Sequence, residues 1–143
     1  VVTQSKQLIA GYTDNTNTIT DVPIIIFGDH TCTFKFIDFP FVRGADGVQL
    51  LKVDSNEILP KAFYYICSAL EIENANKYMR HMKYLRKAKI PIPTESIQKQ
   101  IIKEVDKIEK KRDSLFKNPK LSLDDAYKIL EQEKKKKVLE LLK

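Results

Sequence analysis

The chain has 143 residues, 43% of them hydrophobic and 31% charged, with a net charge of +6. That length suits one domain with or without an appendage and buries a real core, which excludes wholesale disorder. Few glycines without a period exclude a collagen-like chain, and no apolar run approaches the ~18 residues of a membrane helix.

The opening residue is Val1 rather than Met, which suggests a piece of a longer polypeptide, and no basic stretch of a signal peptide follows it. Val1 to Thr3 and Gln7 to Ile9 are short β-type runs, and Gly11 to Asp21 is a polar loop rich in Thr and Asn. The β-branched run Pro23 to Phe27 predicts a buried strand ending at Gly28. Thr33 to Ile37 alternates, with Phe34 and Phe36 on one face, and the turn Gly28 to Cys32 makes the pair a hairpin. Gly44-Ala45-Asp46-Gly47 is a second turn, leading into a strand over Val48 to Val53. Asp29, Asp46 and Gly47 read as turn formers rather than chemical groups.

Pro60 suits a helix start, where its missing N–H costs nothing, and Phe63, Ile66, Cys67 and Leu70 form that helix's apolar face. Ile90-Pro91-Ile92-Pro93 forces an extended path. Thr94 caps the next helix, where Ile97, Ile101, Val105, Ile108, Arg112 and Leu115 predict about six amphipathic turns. Asn118-Pro119 ends it, and Ser122 with Asp125 resembles a capping box. A last helix carries Leu123, Tyr127, Leu130, Val138, Leu141 and Leu142, with Lys134 and Lys137 interrupting the stripe and the run Lys134 to Lys137 read as a solvated face.

The charge divides unevenly. Residues 1–60 carry a net −3 and residues 61–143 a net +9. The densest cluster runs from Asn76 to Ile90 and holds Lys77, Arg80, Lys83, Arg86, Lys87 and Lys89 with no acid, interleaved with Tyr78, His81 and Tyr84. Such a patch attracts a polyanion, and nucleic acid is the first candidate because aromatic and His side chains also touch bases and sugars.

Catalytic constellations are missing from the sequence. Gly44 to Gly47 lacks the spacing of a phosphate loop, and no nucleophile elbow or methyltransferase tetrapeptide occurs. His30, Cys32, Cys67 and His81 lack zinc-ligand spacing, and Cys32 and Cys67 read as two thiols of a reducing cytoplasm. Glu109-Lys110-Lys111 and Glu133-Lys134-Lys135 match half of a nuclease motif by chance, inside helices full of Glu and Lys. No catalytic residue, cofactor or metal is expected.

Ile90-Pro91-Ile92-Pro93, followed by Thr94-Glu95-Ser96-Ile97-Gln98-Lys99-Gln100, resembles the junction that closes a target recognition domain in type I restriction–modification specificity subunits. In that junction a Pro turn and a Gln lead into a long helix, and either Gln98 or Gln100 is that Gln here. Phe63-Tyr64-Tyr65, the basic segment 76–89, Phe27 to Thr31 and Gly44 to Gly47 are similar to further segments of the family, so the likeness covers about residues 20–112. The family's basic-loop Gly has no counterpart around Lys77-Tyr78-Met79, and the tail after Asn118 folds back rather than continuing one long spacer.

The resemblance implies an α+β chain. Residues 1–93 form a small twisted β-sheet recognition head with helices, and residues 94–143 an antiparallel helical pair that spaces and docks. It implies a non-catalytic, cytoplasmic module that reads duplex DNA and directs a DNA methyltransferase subunit. Its further partners are a restriction subunit, a second recognition domain or a second copy; type IIG fusions carry the equivalent domain. The residues expected to contact DNA are Thr31, Lys35, Arg43, Arg80, His81, Lys83 and Arg86. The bare residues leave open an RNA-binding module and a helical protein-interaction domain.

Overall fold

A computed structural model describes residues 1–44, 47–71, 75, 77 and 79–143. Ala45, Asp46, Asn76 and Tyr78, used in the turn and patch readings above, lie outside the described residues. The architecture is α+β: a three-stranded antiparallel sheet followed by helices.

The continuous apolar run forms the central strand β1 (Ile24–Gly28), buried along its whole length. It pairs on one side with β2 (Phe34–Ile37) and on the other with β3 (Val48–Leu51), with Ile25 opposite Phe36 and Leu51. The period of two then sorts the two faces. Ile24, Ile26, Ile37 and Val48 pack with Val2 and Phe41 beneath the sheet. Phe34 and Phe36 take the opposite face, where Phe36 lies 6.1 Å from Tyr64 of α1 (Pro60–Ala69).

A second core joins α1 to the long helices. Tyr65 and Ile66 of α1 pack with Ile101 and Val105 of α3 (Glu95–Glu109) and Val138 of α5 (Leu123–Leu141). Between α1 and α3 lies the short helix α2 (Met82–Lys87). Pro60 opens α1, Thr94 Oγ1 accepts the Ile97 N–H at 3.4 Å, and Ser122 Oγ accepts the Asp125 N–H at 3.1 Å. Lys134 on α5 meets Glu109 at the end of α3, and Val138 meets Val105, so the two helices run antiparallel.

Several expectations need correction. Gln7 to Ile9 is not a strand but an exposed stretch, and Val1 to Thr3 contributes only one bridge, Val2 to Arg43. β3 stops at Leu51. The six-turn helix breaks at Lys110 and Lys111 and resumes as α4 (Arg112–Phe116). Leu123 is exposed at the start of α5 rather than part of its stripe. Lys134 is not solvated: it is 5% exposed. Its ammonium sits 3.0 Å from Glu109 and 3.1 Å from Glu131, and 5.8 Å from the centre of the Tyr65 ring. Burial opposes its charge, yet the groups around it, Tyr64, Glu131 and Glu109, hold its pKa above the ordinary lysine value. The apolar stripe is thus completed by a lysine whose stem packs and whose head is paired.

Ile101 is fully buried in the helical core. Ile101→Asp places a carboxylate there without a partner and is expected to cost on the order of 4 kcal/mol, read as the shift of a denaturant midpoint. An unchanged midpoint would show that the helical pair does not form around this residue.

Candidate nucleic-acid interface

One edge of the sheet gathers the β1–β2 turn, Gly47 just before β3, and the start of α2. Asp29, just past β1, joins them. It is buried; its N–H donates to the Gly47 carbonyl at 2.8 Å, its carbonyl accepts from the His81 N–H at 2.7 Å, and its Oδ1 accepts from the Met82 N–H at 2.7 Å. α2 has no acid in its first turn and no cap from its own N-cap residue, His81. A carboxylate from a distant part of the chain therefore supplies the missing acceptor and the negative charge that a helix start favours.

The first residues of the chain thread into the same edge. Gln4 Oε1 accepts the His30 N–H at 3.0 Å, and the Gln4 carbonyl accepts the Thr31 hydroxyl at 2.8 Å. The fit is close: a Cβ at Gly28 would lie 2.7 Å from Gln4 Cβ, and one at Gly47 would lie 2.7 Å from Gln4 Nε2. At Gly28 the stem of Gln4 and the Thr31 hydroxyl occupy the space of a side chain, whereas at Gly47 the close atom is the end of the Gln4 side chain, which would have to move aside. Val2, two residues back, pairs with Arg43, and the Gly44 N–H donates to the Val2 carbonyl at 2.8 Å. Thr31, Arg43 and α2 are thus tied together through Gln4 and Asp29.

The residues expected at a DNA surface divide into two sets. Thr31, Arg43, Arg80, Lys83 and Arg86 are exposed, as are Lys87 and Lys89. Lys83 lies 5.1 Å from the centre of the Tyr84 ring, and buried Leu85 anchors the opposite side of the helix. Among the described residues no carboxylate pairs with Arg80, Lys83, Arg86, Lys87 or Lys89, whereas Lys99, Lys107, Lys111 and Lys137 of the helical region all have acidic partners. Lys35 and His81, by contrast, are buried, which corrects their expected place at the surface. The Lys35 ammonium donates to the carbonyls of Thr3 and Gln7, holding the entering chain against the sheet, and burial lowers its pKa. His81 packs at the root of α2, with Nε2 2.9 Å from the Lys77 carbonyl.

The Pro-rich junction is fixed by Gln98, which is buried, while Gln100 is exposed. Gln98 Oε1 accepts the Leu59 N–H at 2.8 Å, and its Nε2 donates to the Pro93 carbonyl at 2.8 Å. Of the two glutamines allowed at the junction, Gln98 is therefore the one that holds it. A cleft of about 900 Å³ opens between β2 and the helices, lined in part by Phe36, Tyr64, Tyr65 and Tyr127. Several of the charges along it pair with one another, Lys61 with Asp106 and Arg112 with Glu109.

Neither thiol is poised as a nucleophile. Burial pushes Cys67 up to about 12, and burial with the nearby Asp29 charge pushes Cys32 up to about 11. Among the described residues no cluster of His, Cys, Asp and Glu is fit to hold a metal ion, and no helix is long and apolar enough to cross a membrane.

The chain is similar to the specificity subunit of the type I restriction enzyme EcoR124I/EcoR124II of Escherichia coli, at 34% identity over 121 residues. The match takes in 75% of this chain and 30% of that protein, so the chain spans less than a third of its relative's length. No family model matches the chain, and no solved structure matches it.

Asp29→Ala removes the acceptor of the Met82 N–H, with an expected cost of about 1–3 kcal/mol. It should also speed tryptic cleavage after Lys83 and Arg86, while Asp29→Asn, which keeps an oxygen at the same place, restores protection. Equal cleavage rates in all three proteins would show that α2 does not depend on this carboxylate.

Proposed function

We propose that the chain is a sequence-specific duplex-DNA recognition module of a restriction–modification system. Residues 1–93 form the head that reads DNA. Residues 94–143 form a helical spacer and docking region that directs a methyltransferase subunit, with or without a restriction subunit, to the target. Methyl transfer and cleavage belong to partner or fused chains. What supports a division at Thr94 is that the extended Pro segment ends there and α3 begins.

The observation that carries this reading is the set of exposed cations on and beside α2 that lack acidic partners among the described residues, held by Asp29 at the sheet edge that presents Thr31 and Arg43. Unpaired cations on an element held to the sheet edge suit a row of phosphates. The similarity to a specificity subunit supports a DNA target over RNA. Lys83, Arg86 and Lys87 are the phosphate contacts. Arg43 and Arg80 are the base readers, since a guanidinium reaches guanine O6 and N7 together. Thr31 contributes from the turn, while Lys35 and His81 hold the scaffold rather than the DNA.

Binding should weaken steeply with salt. For roughly five neutralised phosphates, log affinity plotted against log salt has an expected slope near −4 to −5. Lys83→Ala should lower affinity for all sequences alike. Arg43→Ala or Arg80→Ala should relax preference at one base position by about 1–3 kcal/mol. Titration of the chain with labelled duplexes at low salt measures both effects. An affinity indifferent to salt rejects the nucleic-acid reading, and unchanged preference after loss of both arginines removes them from recognition.

A further inference from the structure

We propose that the loop over residues 12–18 is a second base-reading element of the head, with Tyr12 and Asn17 as its contacts to duplex DNA; this rests on the DNA-recognition reading above. A lone exposed ring is ordinary on a protein surface. Tyr12, at 91% exposed, is distinguished by where it stands and by what surrounds it.

The loop is clamped at both feet beside Arg43. It leaves the protein at Ala10, whose N–H donates to the Val1 carbonyl at 2.9 Å, next to Val2, which bridges to Arg43. It returns at Ile19, which exchanges hydrogen bonds of 2.7 and 3.1 Å with Phe41, two residues before Arg43. The short segment carrying Arg43 therefore runs between the two feet.

The loop's interior is shaped by its own polar groups. Thr13 Oγ1 accepts the Asn15 N–H at 3.2 Å, Asn15 Oδ1 accepts the Asn17 N–H at 2.8 Å, and the Thr16 carbonyl accepts the Thr18 N–H at 2.9 Å. The Asn15 side chain is used in holding this shape. The Asn17 amide has no such task among the described residues, and residues 12–18 are all exposed.

The composition decides which part of DNA suits the loop. Between Lys6 and Lys35 the sequence has no Lys or Arg, and the loop itself carries Asp14. A segment with no cation and one carboxylate is a poor phosphate ligand. Amides, hydroxyls and an aromatic ring instead match base edges: a side-chain amide pairs with adenine N6 and N7, and an apolar face meets the thymine methyl. The head thus divides its labour. The cations of α2 supply attraction, and a loop without cations next to Arg43 supplies discrimination, at A·T pairs in particular.

Selection of duplexes from a randomised library by the full 143-residue chain at low salt tests this. Both variants alter exposed side chains, so melting temperatures should not change. Tyr12→Ala and Asn17→Ala should each lose discrimination at an A·T position adjoining the one lost in Arg43→Ala, by roughly 5- to 150-fold, while the salt slope stays at the wild-type value. Salt-dependent binding with an unaltered selected sequence in both variants overturns this inference and leaves the recognition reading standing. Wild-type binding that ignores salt overturns both.

Discussion

One buried primary amide holds the junction on which the arrangement depends. Gln98 accepts the Leu59 N–H through its oxygen and donates to the Pro93 carbonyl through its nitrogen. Leu59 is the N-cap residue of α1 and offers no side-chain cap. Pro93 ends a segment whose prolines forbid helix. One side chain of α3 thereby fixes where α1 starts and how the extended path turns into α3. Because α1 packs on both the sheet and the long helices, its start sets how the helical core stands against the strands. A shorter or apolar side chain at this place would leave a partly buried N–H and a partly buried carbonyl without this partner.

Charge is handled in two ways within the same small chain. In the helical region Lys134 is drawn inside and held between Glu109 and Glu131, and Arg112 also binds Glu109. Burial opposes the ionised form of Glu109, but Arg112 and Lys134 outweigh it and hold the carboxyl below its ordinary range. These cations are occupied by the fold and have little field left for a partner. On α2 the cations face outward at the edge of the sheet, and no carboxylate among the described residues answers them. A run of lysines alone does not separate these cases: Lys134 to Lys137 are consecutive on α5, but that helix also carries Asp124, Asp125, Glu131, Glu133 and Glu140, whereas the segment around α2 has no acid.

Much of the frame is legible in the sequence because it rests on local patterns. The β-branched run of β1, the capping residues Thr94 and Ser122, and the period of α3 each depend on neighbours within a turn or two. The misplaced residues are those whose surroundings come from far along the chain. Alternation around Phe34 and Phe36 puts Lys35 on the other face of β2, and a lysine there suggests solvent. The covering segment Thr3 to Gln7 that accepts its protons lies some thirty residues away. Lys134 breaks the apolar stripe of α5 until Glu109 is brought to it. Asp29 reads as a turn former, and its role as the acceptor for α2 spans 53 positions that no local pattern encodes. His81 looks like a member of the basic patch but serves as its root. Only Gln98 had a signal beyond its neighbours, in the likeness of its junction to that of specificity subunits.

The dependence of α2 on Asp29 sets how that helix behaves in time. Six residues are too few to sustain a helix in water, where isolated helices under about a dozen residues are marginal. The conformation of α2 is therefore borrowed from the strand end that holds it and from the buried Leu85 beneath it. Its amide protons should exchange with solvent in step with those of Gly28 and Asp29, and faster than those of α3 and α5. The element that carries the outward charge then forms one cooperative unit with the sheet edge, separate from the helical pair. Anything that clamps that edge, a bound polyanion included, slows exchange through the whole unit and leaves the long helices as they were.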